Sequence, residues 1–294
     1  MNLSKEWDKT FALLDNVNHQ KVTFPTPEGL TLVGDLYTPK QYEGKLAAVV
    51  VTSPAGAVKE QISGLYAMNL AARGFAALAF DAAHQAESEG TPRYMEIPYR
   101  RVEDVRCAVD FLSLQPFIDR NKIGGLGICA GCGYAINAAM TDRRIKAVAG
   151  VSGTDAGAAI RDGWTQDAPI EQQIALLEEA SQQRTREAEG AAQLLGNYVP
   201  EQVTDDMPST MQEAHEYYRT PRAGHPPLRE QGEPRVDAQH LHLRGLPPDG
   251  QAAYPAPADG RRQQERCLLP ERACHRPRCI QGQGALRHQR CHPR

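Results

Sequence analysis

The chain has 294 residues, 41% hydrophobic and 23% charged, with a formal net charge of −3. That is an ordinary globular composition with room for one large α/β domain. The opening MNLSKEWDKTFALLDNVNHQ is charged and holds no long apolar run, so the expectation is a cytoplasmic chain with no signal peptide and no membrane span.

The first 221 residues read as alternating strands and helices. KVTF (21–24) and LTLVGDLY (30–37) flank the turn-forming PTPEG and alternate like an antiparallel hairpin. LAAVVVTS (46–53) and FAALAFD (75–81) are continuous apolar runs, the pattern of strands buried on both faces. Between them VKEQISGLYAMNLAARG (58–74) has helical spacing and stops at Gly74. YRRVEDVRCAVDFLSL (99–114) is an amphipathic helix, with Asp104 and Arg106 assigned to its solvated face. KIGGLGI (122–128) is a short strand, AGCGYAINAAM (130–140) a helix of small residues and IKAVAGVSG (145–153) a further strand. This alternation predicts a mostly parallel sheet with helices on both faces. The polar helical pattern of residues 168–218 then reads as a lid. The expected organisation is a core over 1–165, a helical cap over 166–221 and a separate tail over 222–294.

Gly127-Ile128-Cys129-Ala130-Gly131 fits the G-x-nucleophile-x-G elbow at a strand-to-helix turn. The glycines let strand and helix approach, and the helix N-terminus favours a thiolate. Cys129 is therefore the candidate nucleophile and the amide of Ala130 one oxyanion donor. The second donor is expected from the loop SPAGAVKEQ, at Ala57 beside Gly56. Cys129 and Cys132 also spell C-x-x-C, a redox alternative, although such a motif would not be expected to follow three strands. Cys132 otherwise reads as a small packing residue. His84 and Asp155 are further site-lining candidates; the simpler reading of His84 is an exposed loop histidine, with Asp81 and Glu87 ordering that loop.

GICAGCGYAINAA, VKEQ, ALAFDAAHQAES and YYRTPR together resemble the α/β-hydrolase superfamily, in its dienelactone hydrolase-like branch, over about the first 220 residues. The resemblance implies an α/β-hydrolase fold, a Cys-His-Asp triad with its nucleophile at Cys129, and hydrolysis of an ester, thioester or lactone. It implies a small-molecule ester-like substrate, no metal and no organic cofactor. A non-catalytic binding protein built on the same pocket is the alternative. Oligomeric state is not legible.

The tail fits none of this. Residues 1–221 carry 20 Lys and Arg and 29 acids, whereas residues 222–294 carry 13 Arg, no Lys, seven acids, ten Pro and one Val. So few branched residues cannot bury a core, so the expectation is an aberrant, disordered tail in which the family's last strands, base and acid are missing. Read one nucleotide later with free wobble, the codons for the final HQRCHPR permit INGATHV. A GATH ending the last strand is where the resemblance places the catalytic His. A slipped reading frame near residues 225–227 is therefore the expectation, and with it an inactive or poorly folded product. Zinc ligation by Cys267, Cys274, His275, Cys279, Cys291 and His292 is disfavoured by spacing. Nucleic-acid binding by the Arg excess is disfavoured by the scarcity of aromatics.

Overall fold

A computed structural model describes residues 6–163, 167–194, 196–197, 199–205, 207–224 and 235–236. Most of the tail, with its cysteines and histidines, lies outside the described residues, and with it the expectation that the family's last strands, base and acid are missing.

The hairpin forms as read. β1 (Val17–Pro25) and β2 (Thr31–Pro39) pair antiparallel, with His19 opposite Tyr37. The chain then alternates through β3 (Leu46–Thr52), α1 (Ile62–Ala71), β4 (Ala76–Phe80), α2 (Pro98–Leu114), β5 (Ile118–Ile128), α3 (Ala130–Thr141) and β6 (Ile145–Val151). The sheet order is β1-β2-β4-β3-β5-β6. β2 meets β4 antiparallel, while β3 pairs in parallel with both β4 and β5, and β5 with β6. This is a mixed sheet whose centre is parallel.

Every residue of β4 is buried, because α1 packs on one face and α2 and α3 on the other. Alternate side chains divide accordingly: Ala77 and Ala79 join Met68 of α1, whereas Leu78 joins Val105, Leu112 and Tyr134. β6 differs. Among the described residues it pairs with β5 alone, and residues 146–150 are exposed.

Four elements complete the described chain: α4 (Ala156–Arg161), α5 (Ile170–Ala188), α6 (Ser209–Arg219) and a two-residue antiparallel pairing of β7 (Gly196–Asn197) with β8 (Arg235–Val236). Helical spacing anticipates α5 and α6 but not α4. Among the described residues, no helix is long and apolar enough to cross a membrane.

Two expectations fail for a common reason, which is burial of charge. α1 begins at Ile62 rather than at residue 58, because Lys59, Glu60 and Gln61 are buried in polar contacts before it. Asp104 is not on a solvated face: it is fully buried, and its Oδ2 accepts from the Ala83 amide at 2.9 Å. Arg106 does stay half-exposed, pairing with Glu103 at 2.9 Å.

Candidate active site

The sheet ends β5 at Ile128, and Cys129 makes the turn into α3 with φ 54° and ψ −124°. A non-glycine residue at positive φ costs on the order of 1–3 kcal/mol and persists only where its surroundings enforce it. Here they do. Cys129 N donates to Val151 O at 3.0 Å, and Cys129 O accepts from Cys132 N at 3.0 Å and Thr154 N at 3.2 Å. The flanking glycines are obligatory. A Cβ at Gly127 would lie 2.3 Å from Cys132 Cα, and one at Gly131 would lie 2.3 Å from Thr52 O. The elbow spacing is thus a packing requirement of this turn.

Cys129 opens on a cavity of about 580 Å³. It is lined by Pro54, Ile62, Ile128 and the segment Ser152–Thr154, together with Thr210, Met211, Glu213, Ala214, Tyr217 and Tyr218 of α6.

The thiol is not primed by its surroundings. Burial pushes the Cys129 thiol up; the Ala130 amide, bonded to it, pulls the other way, and the negative Glu96 adds to the rise. The expected preference for thiolate at the helix N-terminus is therefore overturned by burial, and the resting group is a thiol that needs a base.

Ala130 is buried directly after Cys129 and its amide points at the thiol. Ala57 is not brought to the cavity: its amide donates to Pro54 O at 3.2 Å, closing a turn. The amide of Gly56, at φ +68°, faces Glu96 Oε2 at 3.4 Å. Asp155 is turned away as the N-cap of α4, accepting from Ala158 N at 3.0 Å. His84 is buried rather than exposed, and its Nδ1 meets Pro92 O at 2.9 Å. Among the described residues no histidine lines the cavity. Cys132 is packing: its Sγ fills the space where a Cβ on Gly150 or Gly153 would lie, at 2.2 and 2.6 Å.

Sequence reasoning missed the charges behind the site. Glu96 is fully buried, and Arg101, stacked on Tyr134 at 5.1 Å, reaches Ser53 O at 2.6 Å and Glu96 at 3.4 Å. This pair ties α2 to the loop after β3. Further along the same loops, Lys59 Nζ is completely buried among Glu60 at 2.5 Å, Asp81 at 2.7 Å and Glu87 at 2.7 Å. Those three carboxylates are close enough together to hold a cation, and the Lys59 ammonium supplies one. Lys9 extends the network to Asp35 at 2.8 Å and Asp8 at 2.7 Å, and His19 meets Asp35 at 2.8 Å. The motifs VKEQ and FDAAHQAES are thus a buried ionic lock between the loops that follow β3 and β4, as expected of Asp81 and Glu87. The only advance signal was the charge density of those short stretches.

A profile of the family described as X-Pro dipeptidyl-peptidase (S15 family) matches residues 28–246. The chain is 42% identical over 229 residues to uncharacterized protein PA2218 of Pseudomonas aeruginosa, covering 77% of this chain and 61% of that protein. The crystal structure of PA2218 superposes with a TM-score of 0.77 and 40% identity, over 84% of this chain and 77% of that one. Protein YcjY of Escherichia coli is 37% identical over 212 residues, 71% of this chain and 69% of its own length. A shorter match, 36% over 133 residues, is to thiohydrolase aneE of Aspergillus aculeatus; it covers 45% of this chain and 41% of that protein.

Proposed function

Because the chain belongs to the X-Pro dipeptidyl-peptidase (S15) family of α/β hydrolases, we propose that its chemistry is acyl transfer through Cys129, on an ester, thioester or lactone. The observation that carries this is the strained cysteine at the β5–α3 turn, opening into a cavity of about 580 Å³. The thiol loses its proton to a base, and its sulfur adds to the carbonyl. The tetrahedral oxyanion is held by the Ala130 amide; collapse expels the alcohol or thiol, which takes up the proton the base removed, and water then releases the acyl group. The thioester reading draws on the thiohydrolase relative. In this reading residues 166–221 act as a cap over a small-molecule substrate.

In this reading the base and acid that the family places behind its last strands are missing from the chain, a point that lies outside the described residues. The compositional break after residue 221 belongs with a shifted reading frame, and the present chain then acylates once and turns over slowly. Losing one triad member typically costs several orders of magnitude in rate.

The test is mass spectrometry of the full chain after exposure to an activated thioester, alongside steady-state hydrolysis of the same thioester and of an X-Pro p-nitroanilide. One acyl group on Cys129, lost in Cys129→Ala, supports the reading. Rapid turnover abolished by that substitution refutes the claim of a crippled enzyme, and turnover of the anilide alone moves the assignment to a peptidase. Resequencing the gene from codon 215 tests the frame: an open shifted frame supports it, one broken by stop codons sinks it.

A second reading is a non-catalytic binding protein that uses the same cavity. The raised Cys129 thiol favours it, and acylation spread evenly over all seven cysteines would select it.

A further inference from the structure

The residues lining the Cys129 cavity include one that is formally charged, Glu213 on α6, whose side chain is also exposed to solvent; among the described residues no Lys, Arg or His lines it. The rest of the lining is mostly apolar or aromatic, with Ile62, Ile128, Met211 and Ala214 and with Tyr217 and Tyr218 edge to face at 4.8 Å, and its polar members, Ser152, Thr154 and Thr210, are uncharged. The cations of the same helix end hold lining residues without lining the cavity themselves. Arg219 donates to Val199 O, and Arg222 pairs with Glu216 at 2.6 Å while lying over the Tyr217 ring at 5.7 Å.

We infer that the cavity is built for uncharged acyl groups and turns anionic ones away, with Glu213 as the residue that sets this preference. The inference rests on the proposed role of Cys129 as the acyl acceptor. An acyl chain ending in a carboxylate would have to desolvate that charge against Ile62, Met211 and the two tyrosines, with no cation lining the cavity among the described residues. It would also share the cavity with Glu213. A sphere of about 580 Å³ is about 10 Å across. At that separation, like charges disfavour one another roughly two- to twentyfold for an effective dielectric between bulk water and the protein surface. A neutral chain of the same size loses nothing and gains the apolar and aromatic contact.

Iodoacetamide and iodoacetate test this directly, being near-isosteric thiol reagents that differ by one negative charge. The full chain is treated with each at one pH, alkylation of Cys129 is followed by peptide mass spectrometry, and each rate is divided by that of N-acetylcysteine with the same reagent. The expected result is a normalised iodoacetate rate two- to twentyfold below the iodoacetamide rate, closing toward unity in Glu213→Gln and inverting in Glu213→Lys. Equal normalised rates in the unsubstituted chain, or a ratio that Glu213→Gln leaves unchanged, overturn the inference. Failure of Cys129 to react with either reagent counts against the nucleophile reading instead. The selectivity is then read by calorimetric titration with hexanamide and hexanoate: tighter hexanamide binding, levelled by Glu213→Gln, sustains it, and equal or absent binding of both overturns it.

Discussion

Replacing Asp104 with Asn should stabilise the protein, and by an amount that depends on pH. Asp104 is fully buried on α2; its Oδ2 accepts from the Ala83 amide at 2.9 Å, and its Oδ1 has no hydrogen-bond partner. Burial raises its carboxyl from 3.8 to about 7, although the Ala83 amide, Arg101 and Arg100 pull the other way. Unfolded, the group ionises near 3.8; folded, it holds its proton to about 7. Its contribution is therefore most favourable below pH 3.8 and is lost as pH rises through 7. A rise of about three units corresponds to roughly 4 kcal/mol, an order-of-magnitude figure for a buried group. Asparagine keeps the acceptor for Ala83 and has no proton to lose. Asp104→Asn should thus gain up to about 4 kcal/mol at pH 8, roughly 10 °C in Tm for a domain of this size, and little at pH 4. Urea unfolding of both proteins at pH 4, 6 and 8 measures it. A difference that stays flat over that range, or a loss at pH 8, would mean that Asp104 is ionised in the fold and that its charge is stabilised by Arg100 and Arg101.

Other expectations follow from the same packing. Lys59→Met leaves Glu60, Asp81 and Glu87 facing one another without their buried cation, which should cost about 3–5 kcal/mol in chemical denaturation; an unchanged midpoint would refute the lock. Gly127→Ala forces a Cβ to 2.3 Å from the backbone of Cys132, whereas Gly133→Ala meets Thr154 O at 3.3 Å. The first should unfold or badly destabilise the chain, and the second should stay within about 1 kcal/mol of the parent, because alanine's helix preference offsets mild crowding. Equal stability of the two variants would show that the elbow is not tightly packed. With its thiol raised by burial, Cys129 should alkylate more slowly than a free cysteine at pH 8, and its rate should still climb above pH 9. Glu96→Gln should lower that profile's midpoint, and a midpoint below the free-cysteine value would refute the reading of a resting thiol.

Much of the fold was legible because its centre is a parallel sheet. Strands covered on both faces must be continuous apolar runs, and LAAVVVT and AALAF could hardly be anything else. The elbow was legible because Gly127 and Gly131 answer to a contact that admits no side chain at all. What escaped were buried charges. Lys59, Glu60 and Asp104 look like helix surface in a one-dimensional pattern, since periodicity cannot reveal that a loop folds over them and supplies partners. The loop after β3 escaped for a related reason. SPAGAVKEQ is rich in small residues throughout, so composition could not say that the Ala57 amide closes a turn on Pro54, nor that Glu96 stands opposite Gly56. His84 was misjudged in its exposure because nothing local announces that Pro92 O receives its ring nitrogen.

These buried groups bear on the chemistry as well as on stability. A cysteine nucleophile needs its proton removed, and the charges nearest Cys129 do not help: Glu96 is negative, and Arg101 is directed at Ser53 O and at Glu96 itself. What that pair does supply is position, since the Arg101 guanidinium holds the β3 loop by its carbonyl at 2.6 Å. The described residues therefore provide a thiol, one oriented amide and a shaped cavity, but no histidine at the cavity. In such a site acylation depends on the small thiolate fraction, which rises tenfold per pH unit below the thiol's pKa, while deacylation lacks a base to activate water. The two steps should separate cleanly with pH, acylation accelerating from pH 7 to 9 while the acyl-enzyme persists. Equal acceleration of both steps would mean that a base reaches Cys129 from residues beyond those described.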